Sequence, residues 1–275
     1  MNLSHSTDKK KRATGATEWL RDEYESIYNR YKDFFADIRG TIKDYCDKHN
    51  KKQDDLSCVP DIEIYNLEDN LFDGILFVGM NPSGADVEHY TQANKKNNHV
   101  FIYSDADTPY FKAIKSFVTK DKNKDGRLAG CGLKDCEYSV LDVFGVVCME
   151  HKALEKDLHN KSELYNVMID VFFKTILHLM PKVIVVANAF VRKLFMKVDS
   201  EKLFNDWVTL TASEEFGGYE ITIPVQREQN EVGVSPKYLK THIFFSSMLS
   251  GQRALDCGSR ENLIWMVRNY LKNKI

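Results

Sequence analysis

The sequence predicts an α/β fold whose central sheet is mostly parallel and four-stranded. Four apolar runs of five or six residues lack the alternation of a strand with one wet face, so they suit strands that are buried on both faces. These runs lie at 74–79, 139–144, 182–187 and 242–246. Helical patterns separate them, and strands that alternate with helices favour a parallel sheet with right-handed crossovers.

Apolar residues at steps of three and four predict the helices. Four of these helices lie between the buried strands or close the chain, at 110–120, 163–180, 190–197 and 260–272. Ser259 is the predicted N-cap of the last one. An earlier pattern, rich in aromatic residues, runs from Thr17 to Asn50, and Gly40 is expected to bend or divide that helix.

Two weaker strands and the termini complete the predicted organisation. Residues 62–66 suit a short strand, and the alternation at 219–224 suits an edge strand or a hairpin. We expect a disordered basic tail at 1–13, an N-terminal helical extension at 14–58 and the α/β domain at 59–275.

Composition narrows the classes of function. The formal net charge of -2 gives no whole-chain attraction for nucleic acid, so a nucleic-acid partner requires a local basic patch. No apolar run approaches the roughly 20 residues that span a membrane. The six cysteines form no Cys-x-x-Cys pair. We therefore expect a cytoplasmic protein with reduced thiols, no metal site and no membrane partner.

Polar residues follow or interrupt three of the predicted buried strands. Ligands of open α/β sheets bind beyond the carboxyl ends of the strands. The first strand continues into the loop Gly79-Met80-Asn81-Pro82-Ser83-Gly84, and the second contains Asp142 within an apolar run. The last strand leads into the segment 246–253, which is rich in serine and ends in Arg253. Hydroxyls, backbone amides and a guanidinium suit phosphate binding.

Each of these features also has a purely structural interpretation. The amide of Asn81 can orient a water or hold a substrate edge, or the Asn-Pro pair can begin a turn. Asp142 is costly to bury without partners, and it is either a polar group in a pocket or the cap of a turn at a strand end. The 246–253 segment either binds phosphate or is a flexible loop before the last helix.

Two of these segments together resemble a known family. The residues 75–84 resemble the first motif of the uracil-DNA glycosylase superfamily, in the Gly-x-Asn-Pro-Gly form of its mismatch-specific and single-strand-selective branches. The residues 246–250 resemble the second motif, a Pro-Ser-x-Leu-Ser loop before the C-terminal helix, and 181–189 resemble the strand and helix start that precede it. The matches follow the order of the family and cover residues 70–272.

The resemblance implies a three-layer α/β/α fold and a DNA glycosylase. Such an enzyme flips a deaminated or modified base out of DNA and hydrolyses its N-glycosidic bond. The expected partner is therefore DNA with a damaged base, and we expect a monomer that uses no cofactor.

The resemblance also implies roles for individual residues. Asn81 would position the attacking water, and an amide is too weak a base to do more. The implied substrate-binding residues are Gly79, Met80, Pro82, Ser83, Tyr103 and Asp142. Tyr103 would stack on the base, and Asp142 would accept hydrogen bonds from amino or imino groups, which favours a base other than plain uracil. The implied DNA-binding residues are Ser246, Ser247, Leu249, Ser250 and Arg253, with Leu249 as the wedge in the duplex gap and Arg253 on a flanking phosphate.

The sequence departs from the family at several positions. Phe245 stands where the best-known branch has a histidine that stabilises the departing base, and His242 should face elsewhere on the strand. Ser246 and Met248 replace the loop prolines, and Ser83 replaces a glycine. These departures support an alternative, a nucleic-acid or nucleotide binding module on the same fold without catalysis. An unrelated α/β enzyme that binds phosphate with its Asn-Pro loop is a third hypothesis.

Overall fold

The computed structural model describes residues 15–33, 35, 48, 62–65, 67, 71, 74–80, 100–103, 109–133, 138–146, 162–196, 208–224, 238–249 and 255–273. Within these ranges the protein is an α/β fold. The helices are α1 Gly15–Arg30, α2 Pro109–Thr119, α3 Ser162–Leu179, α4 Ala189–Met196 and α5 Cys257–Asn273. The strands are β1 Ile62–Tyr65, β2 Ile75–Gly79, β3 Val100–Tyr103, β4 Tyr138–Asp142, β5 Val183–Val186, β6 Thr209–Ala212, β7 Tyr219–Pro224 and β8 Tyr238–Phe245.

The main sheet is mixed and has six strands in the order β4-β2-β5-β8-β7-β6. The first four are parallel and correspond to the four predicted buried strands. The predicted count of four was too low, because β6 and β7 form an antiparallel hairpin that pairs with β8. The strand β6 is mostly exposed and carries no buried apolar pattern, so its sequence does not mark it as part of the sheet. The strands β1 and β3 form a separate parallel pair.

Helices cover both faces of the parallel strands. Successive side chains of a strand point to opposite faces. On one side, Leu76 and Val78 of β2 join a core with α1, α3 and α4, and we call this side the α1 face. On the other side, Ile75 and Phe77 join a core with α2 and α5, and we call it the α2 face. Burial on both faces is the reason that these strands consist of continuous apolar runs.

The N-terminal helix α1 shares its core with the sheet. Its buried side chains include Leu20, Tyr24 and Ile27, at the three- and four-residue steps that predicted the helix. Arg30 donates from Nη2 to Glu163 on α3 at 2.7 Å. The tail at 1–13, the expected bend at residue 40 and the domain boundary at 58/59 lie outside the described residues.

The caps of two helices fix the chain near the carboxyl ends of β5 and β8. Asp256, rather than the predicted Ser259, is the N-cap of α5. Oδ2 of Asp256 accepts from the Ser259 hydroxyl at 2.6 Å, and Oδ1 accepts from the Ser259 backbone N–H at 2.9 Å. These hydrogen bonds lower the pKa of Asp256. Ser259 is therefore a residue of the first turn, and its backbone N–H is the donor that the N-cap satisfies. Asn188 caps α4 in the same manner, because its Oδ1 accepts from backbone N–H groups of the first turn.

Candidate functional site

The carboxyl ends of β4, β2, β5 and β8 lie along one edge of the main sheet. Backbone hydrogen bonds continue past the last paired residues and fix the spacing of these ends. The carbonyl of Gly79 accepts from the N–H of Val143 at 3.1 Å, and the carbonyl of Val186 accepts from the N–H of Ser246 at 2.8 Å. The start of the 79–84 loop, the end of β4 and the start of the 246–253 segment therefore share this edge.

The Asp142 carboxylate lies over the backbone of Gly79. The two residues are partners in the β2–β4 register, and Asp142 is 8% exposed. A Cβ atom at position 79 would lie 2.1 Å from Asp142 Oδ1 and 3.7 Å from the hydroxyl oxygen of Tyr110. The first of these distances is far below van der Waals contact, so only glycine leaves room for the carboxylate in this position. Both the carboxylate and the Tyr110 hydroxyl lie on the α2 face.

Burial and the charge of Asp142 raise the pKa of two tyrosine hydroxyls, those of Tyr110 and Tyr24. Burial raises the pKa of Tyr110, in the first turn of α2, and the negative charge of Asp142 raises it further. Burial is also the main cause of the raised pKa of Tyr24 on α1. A backbone hydrogen bond from Gly145 lowers this pKa, and the charge of Asp142 raises it. Both phenols are therefore neutral at physiological pH, and each can donate and accept a hydrogen bond.

The raised pKa of Tyr24 predicts that alkaline pH destabilises the fold. In the unfolded chain this tyrosine ionises near pH 10, whereas the folded protein keeps it protonated to higher pH. Above pH 10 the unfolded state binds fewer protons, so the free energy of unfolding falls as the pH rises, by about 1.4 kcal/mol per pH unit from this residue. Urea unfolding between about pH 9 and 11 measures the slope. Tyr24→Phe should make the fall shallower, and an unchanged slope would contradict the prediction.

The segment after β8 exposes Met248 and buries Leu249. Met248 is 42% exposed, whereas Leu249 is 6% exposed and belongs to the core of the α2 face. The carbonyl of Met248 accepts from the N–H of Leu255 at 2.9 Å, which brings the end of the loop back to its start. Among the described residues 246–249, the apolar side chain exposed to solvent is therefore that of Met248.

Phe245 and His242 face opposite sides of the sheet, as their three-residue separation on a strand predicted. The ring of Phe245 lies 5.7 Å from the ring of Tyr219, in contact with the α1 face. The ring of His242 lies 4.4 Å from that of Tyr270 on α5, and its Nε2–H donates to a backbone carbonyl of the β6–β7 turn at 2.6 Å. Phe245 therefore does not reach the face on which Asp142 lies.

The described residues bring together part of the predicted site. Gly79, Met80, Asp142, Ser246 and Ser247 lie at or next to the carboxyl edge of the main sheet. Tyr103 ends β3, which pairs with β1 in the separate two-stranded sheet. Leu249 packs in the core of the α2 face. The other predicted site residues lie outside the described residues, and they are Asn81, Pro82, Ser83, Ser250 and Arg253.

Sequence reasoning missed two residues that the structure adds to this region, Tyr110 and Met248. Tyr110 follows Pro109 at the start of the helix before β4. A helix that precedes a parallel strand begins at the carboxyl edge of the sheet, so the helix order alone indicates that Tyr110 is near this edge. No comparable pattern distinguishes Met248 from Leu249, because both are apolar residues of one loop.

No protein-family model matches this chain, and no curated protein matches it either. Among the residues that the structure describes, no three His, Cys, Asp or Glu side chains cluster in a way that would hold a metal ion. None of the described helices combines the length and the apolarity needed to cross a membrane. The chemistry available at the carboxyl edge of the sheet is therefore the basis for a functional assignment.

Proposed function

We propose that this protein is a DNA glycosylase-like hydrolase that cleaves the N-glycosidic bond of a flipped deaminated or modified base. The observation that carries the proposal is the pairing of Gly79 with Asp142 at the sheet edge where the segment starting at Ser246 also begins. Gly79 and Ser246 belong to the segments that resemble the two motifs of the uracil-DNA glycosylase superfamily, and Asp142 lies between these segments in the chain. The proposal includes the three-layer α/β/α arrangement of that family, which is supported by the helices on both faces of the parallel strands.

In this proposal the loop after Gly79 positions the attacking water, and the end of β4 binds the base. Asn81 holds a water beneath the anomeric carbon while the base departs as an anion and the sugar gains positive charge. Because an amide is a poor base, the reaction suits a good leaving group. Asp142 offers carboxyl oxygens as acceptors for amino or imino groups on the base edge.

The DNA contacts come from the segment after β8. Extruding a base costs a few kcal/mol of unstacking, and an apolar side chain that enters the gap offsets part of that cost. Met248 takes this wedge role because it is 42% exposed, and Leu249 supports the loop from the core. Ser246, Ser247, Ser250 and Arg253 would hold the flanking phosphates. This assignment revises the expectation for Leu249, whose side chain would have to leave the core to enter a duplex.

Asn81→Ala is expected to lower the rate of base excision about 100-fold, because misplacing a reacting group by about 1 Å costs that much. The assay is single-turnover cleavage of single- and double-stranded oligonucleotides that each carry one uracil, hypoxanthine, xanthine or oxidised pyrimidine. The matched control is Asn123→Ala, because Asn123 is an exposed asparagine in the turn after α2. Intact DNA binding by the wild-type protein without excision of any of these bases would rule out the catalytic claim.

One observation favours a second candidate, a binding module without catalysis. Phe245 packs on the face opposite to Asp142, and His242 packs against Tyr270, so neither is placed to stabilise a departing base. On this alternative, DNA binding would weaken with added salt and with Arg253→Ala, and no free base would be released.

A further inference from the structure

We propose that Tyr110 is a positioning residue of this site, which orients the Asp142 carboxylate and thereby sets the direction from which a ligand N–H is accepted. The inference rests on the proposed function and deepens it, since it assigns a second polar group to the same site. Neither of the two motifs includes Tyr110. It lies between them in the chain, on the helix α2.

Three elements bring the two side chains to the same glycine, Gly79. Asp142 ends β4, Gly79 ends the adjacent β2, and Tyr110 lies in the first turn of α2 on the same face. Asp142 Oδ1 and the Tyr110 hydroxyl oxygen lie 2.1 and 3.7 Å from the position that a Cβ would take on Gly79. The absence of a side chain on Gly79 is therefore what allows the carboxylate to lean across β2 toward the helix.

The helix that carries Tyr110 is firmly held. Its buried side chains, Phe111, Ile114 and Phe117, pack into the core of the α2 face. At its other end the chain passes so close that a Cβ on Gly130 would lie 2.2 Å from the carbonyl oxygen of Ser116. The N–H of Cys131 donates to the carbonyl of Phe117 at 2.6 Å. A helix held along its buried face and at its C-terminal end limits the movement of the Tyr110 hydroxyl, which an orienting group requires.

The phenol of Tyr110 is the hydrogen-bond donor of the pair. Burial and the charge of Asp142 both raise the pKa of Tyr110, so the phenol keeps its proton. A protonated phenol that donates to one carboxylate oxygen restricts the rotation of the carboxylate, and hydrogen bonds to a charged acceptor are the stronger kind. The carboxylate then accepts a ligand N–H from a fixed direction instead of from several.

A tyrosine that merely packs would also lie on this face, and Tyr270 is the control for that possibility. Tyr110 and Tyr270 both pack against the core of the α2 face. The charge that raises the pKa of Tyr270, after burial, is that of Glu220 and not of Asp142. Tyr270→Phe therefore removes a comparable hydroxyl from the same core without touching the Asp142 carboxylate.

The first test uses no enzymatic activity. The full-length protein is labelled with [13Cζ]tyrosine, and each resonance is assigned by its loss in Tyr110→Phe, Tyr24→Phe or Tyr270→Phe. In an acid titration we expect the Tyr110 resonance to show a step that disappears in Asp142→Asn, whereas any step of Tyr270 persists. A Tyr110 resonance that behaves alike in the wild type and in Asp142→Asn would overturn the proposal.

The second test measures base excision by Tyr110→Phe on the oligonucleotides that the wild-type protein cleaves. Loss of one orienting hydrogen bond should raise KM about fivefold and leave kcat within about twofold, whereas Tyr270→Phe should change neither. A wild-type KM in Tyr110→Phe would overturn the positioning role. If the wild type cleaves none of the oligonucleotides, the proposed function fails by itself, and the tyrosine resonances still decide whether Tyr110 orients Asp142.

Discussion

Leu249→Ala is expected to lower the free energy of unfolding by about 2–4 kcal/mol, whereas Met248→Ala should change it by less than about 0.5 kcal/mol. Leu249 is 6% exposed and packs in the same core as Leu263 and Ile264 of α5, so its truncation leaves a cavity. Met248 is 42% exposed and leaves none. Urea unfolding of both variants at neutral pH measures the difference.

The same pair of variants tests the wedge assignment. Met248→Ala should weaken binding to an oligonucleotide duplex with a central mismatch, while its stability stays that of the wild type. Leu249→Ala, measured below its own unfolding transition, should bind that duplex with nearly wild-type affinity. Full stability of Leu249→Ala together with lost DNA binding would instead return the wedge role to Leu249.

Gly79→Ala is expected to slow base excision about 100-fold, which is the size of effect that a misplacement of about 1 Å in a reacting group produces. The added methyl group would lie 2.1 Å from Asp142 Oδ1, so the carboxylate must move. The clash involves the end of a side chain and no backbone atom, so the fold accommodates it at modest cost in stability. Single-turnover excision and urea unfolding, measured on the same preparation, separate the two effects.

Gly258→Ala is the matched control for this substitution. Gly258 lies in the first turn of α5, and its added methyl group would lie 3.4 Å from the nearest atom, Asp256 Oδ1. The excision rate should stay within about twofold, and stability should not fall, because alanine suits a helix better than glycine does. An excision rate in Gly79→Ala that equals the wild-type rate would show that the position of Asp142 has no part in the reaction.

Much of the fold followed from patterns that are local in the chain. Continuous apolar runs predicted β2, β4, β5 and β8, and all four are present as parallel strands of the main sheet. Three- and four-residue steps predicted α2, α3, α4 and α5 to within three residues at both ends. For α1 they predicted the start to within two residues, but the predicted helix runs to Asn50, whereas α1 ends at Arg30. The N-cap of α5 was misassigned to Ser259 because Asp256 and Ser259 are both good capping residues, and only the position of the first turn decides between them.

Only part of the candidate site was predicted, because only some of its residues break the local sequence pattern. A polar residue that ends or interrupts a buried strand is visible as a break in an apolar run, and Asp142 was predicted as a site residue in this way. Tyr110 was not, because an aromatic residue in the first turn of an amphipathic helix has the same sequence pattern whether it only packs or also lies near the end of a neighbouring strand. Gly79 was predicted as a member of a loop motif, and the structure adds that its missing side chain makes room for Asp142.

The sequence by itself determined the alternation of strands and helices, the burial of the parallel strands and the polar character of their carboxyl ends. These properties depend on hydrophobicity and periodicity over a few neighbouring residues. Only the tertiary structure decided the strand order, the pairing of the β6–β7 hairpin with β8, the exposure of Met248 over Leu249 and the approach of Tyr110 and Asp142 to the same glycine, Gly79. Each of these depends on contacts between residues far apart in the chain, and such contacts leave no periodic trace in the sequence.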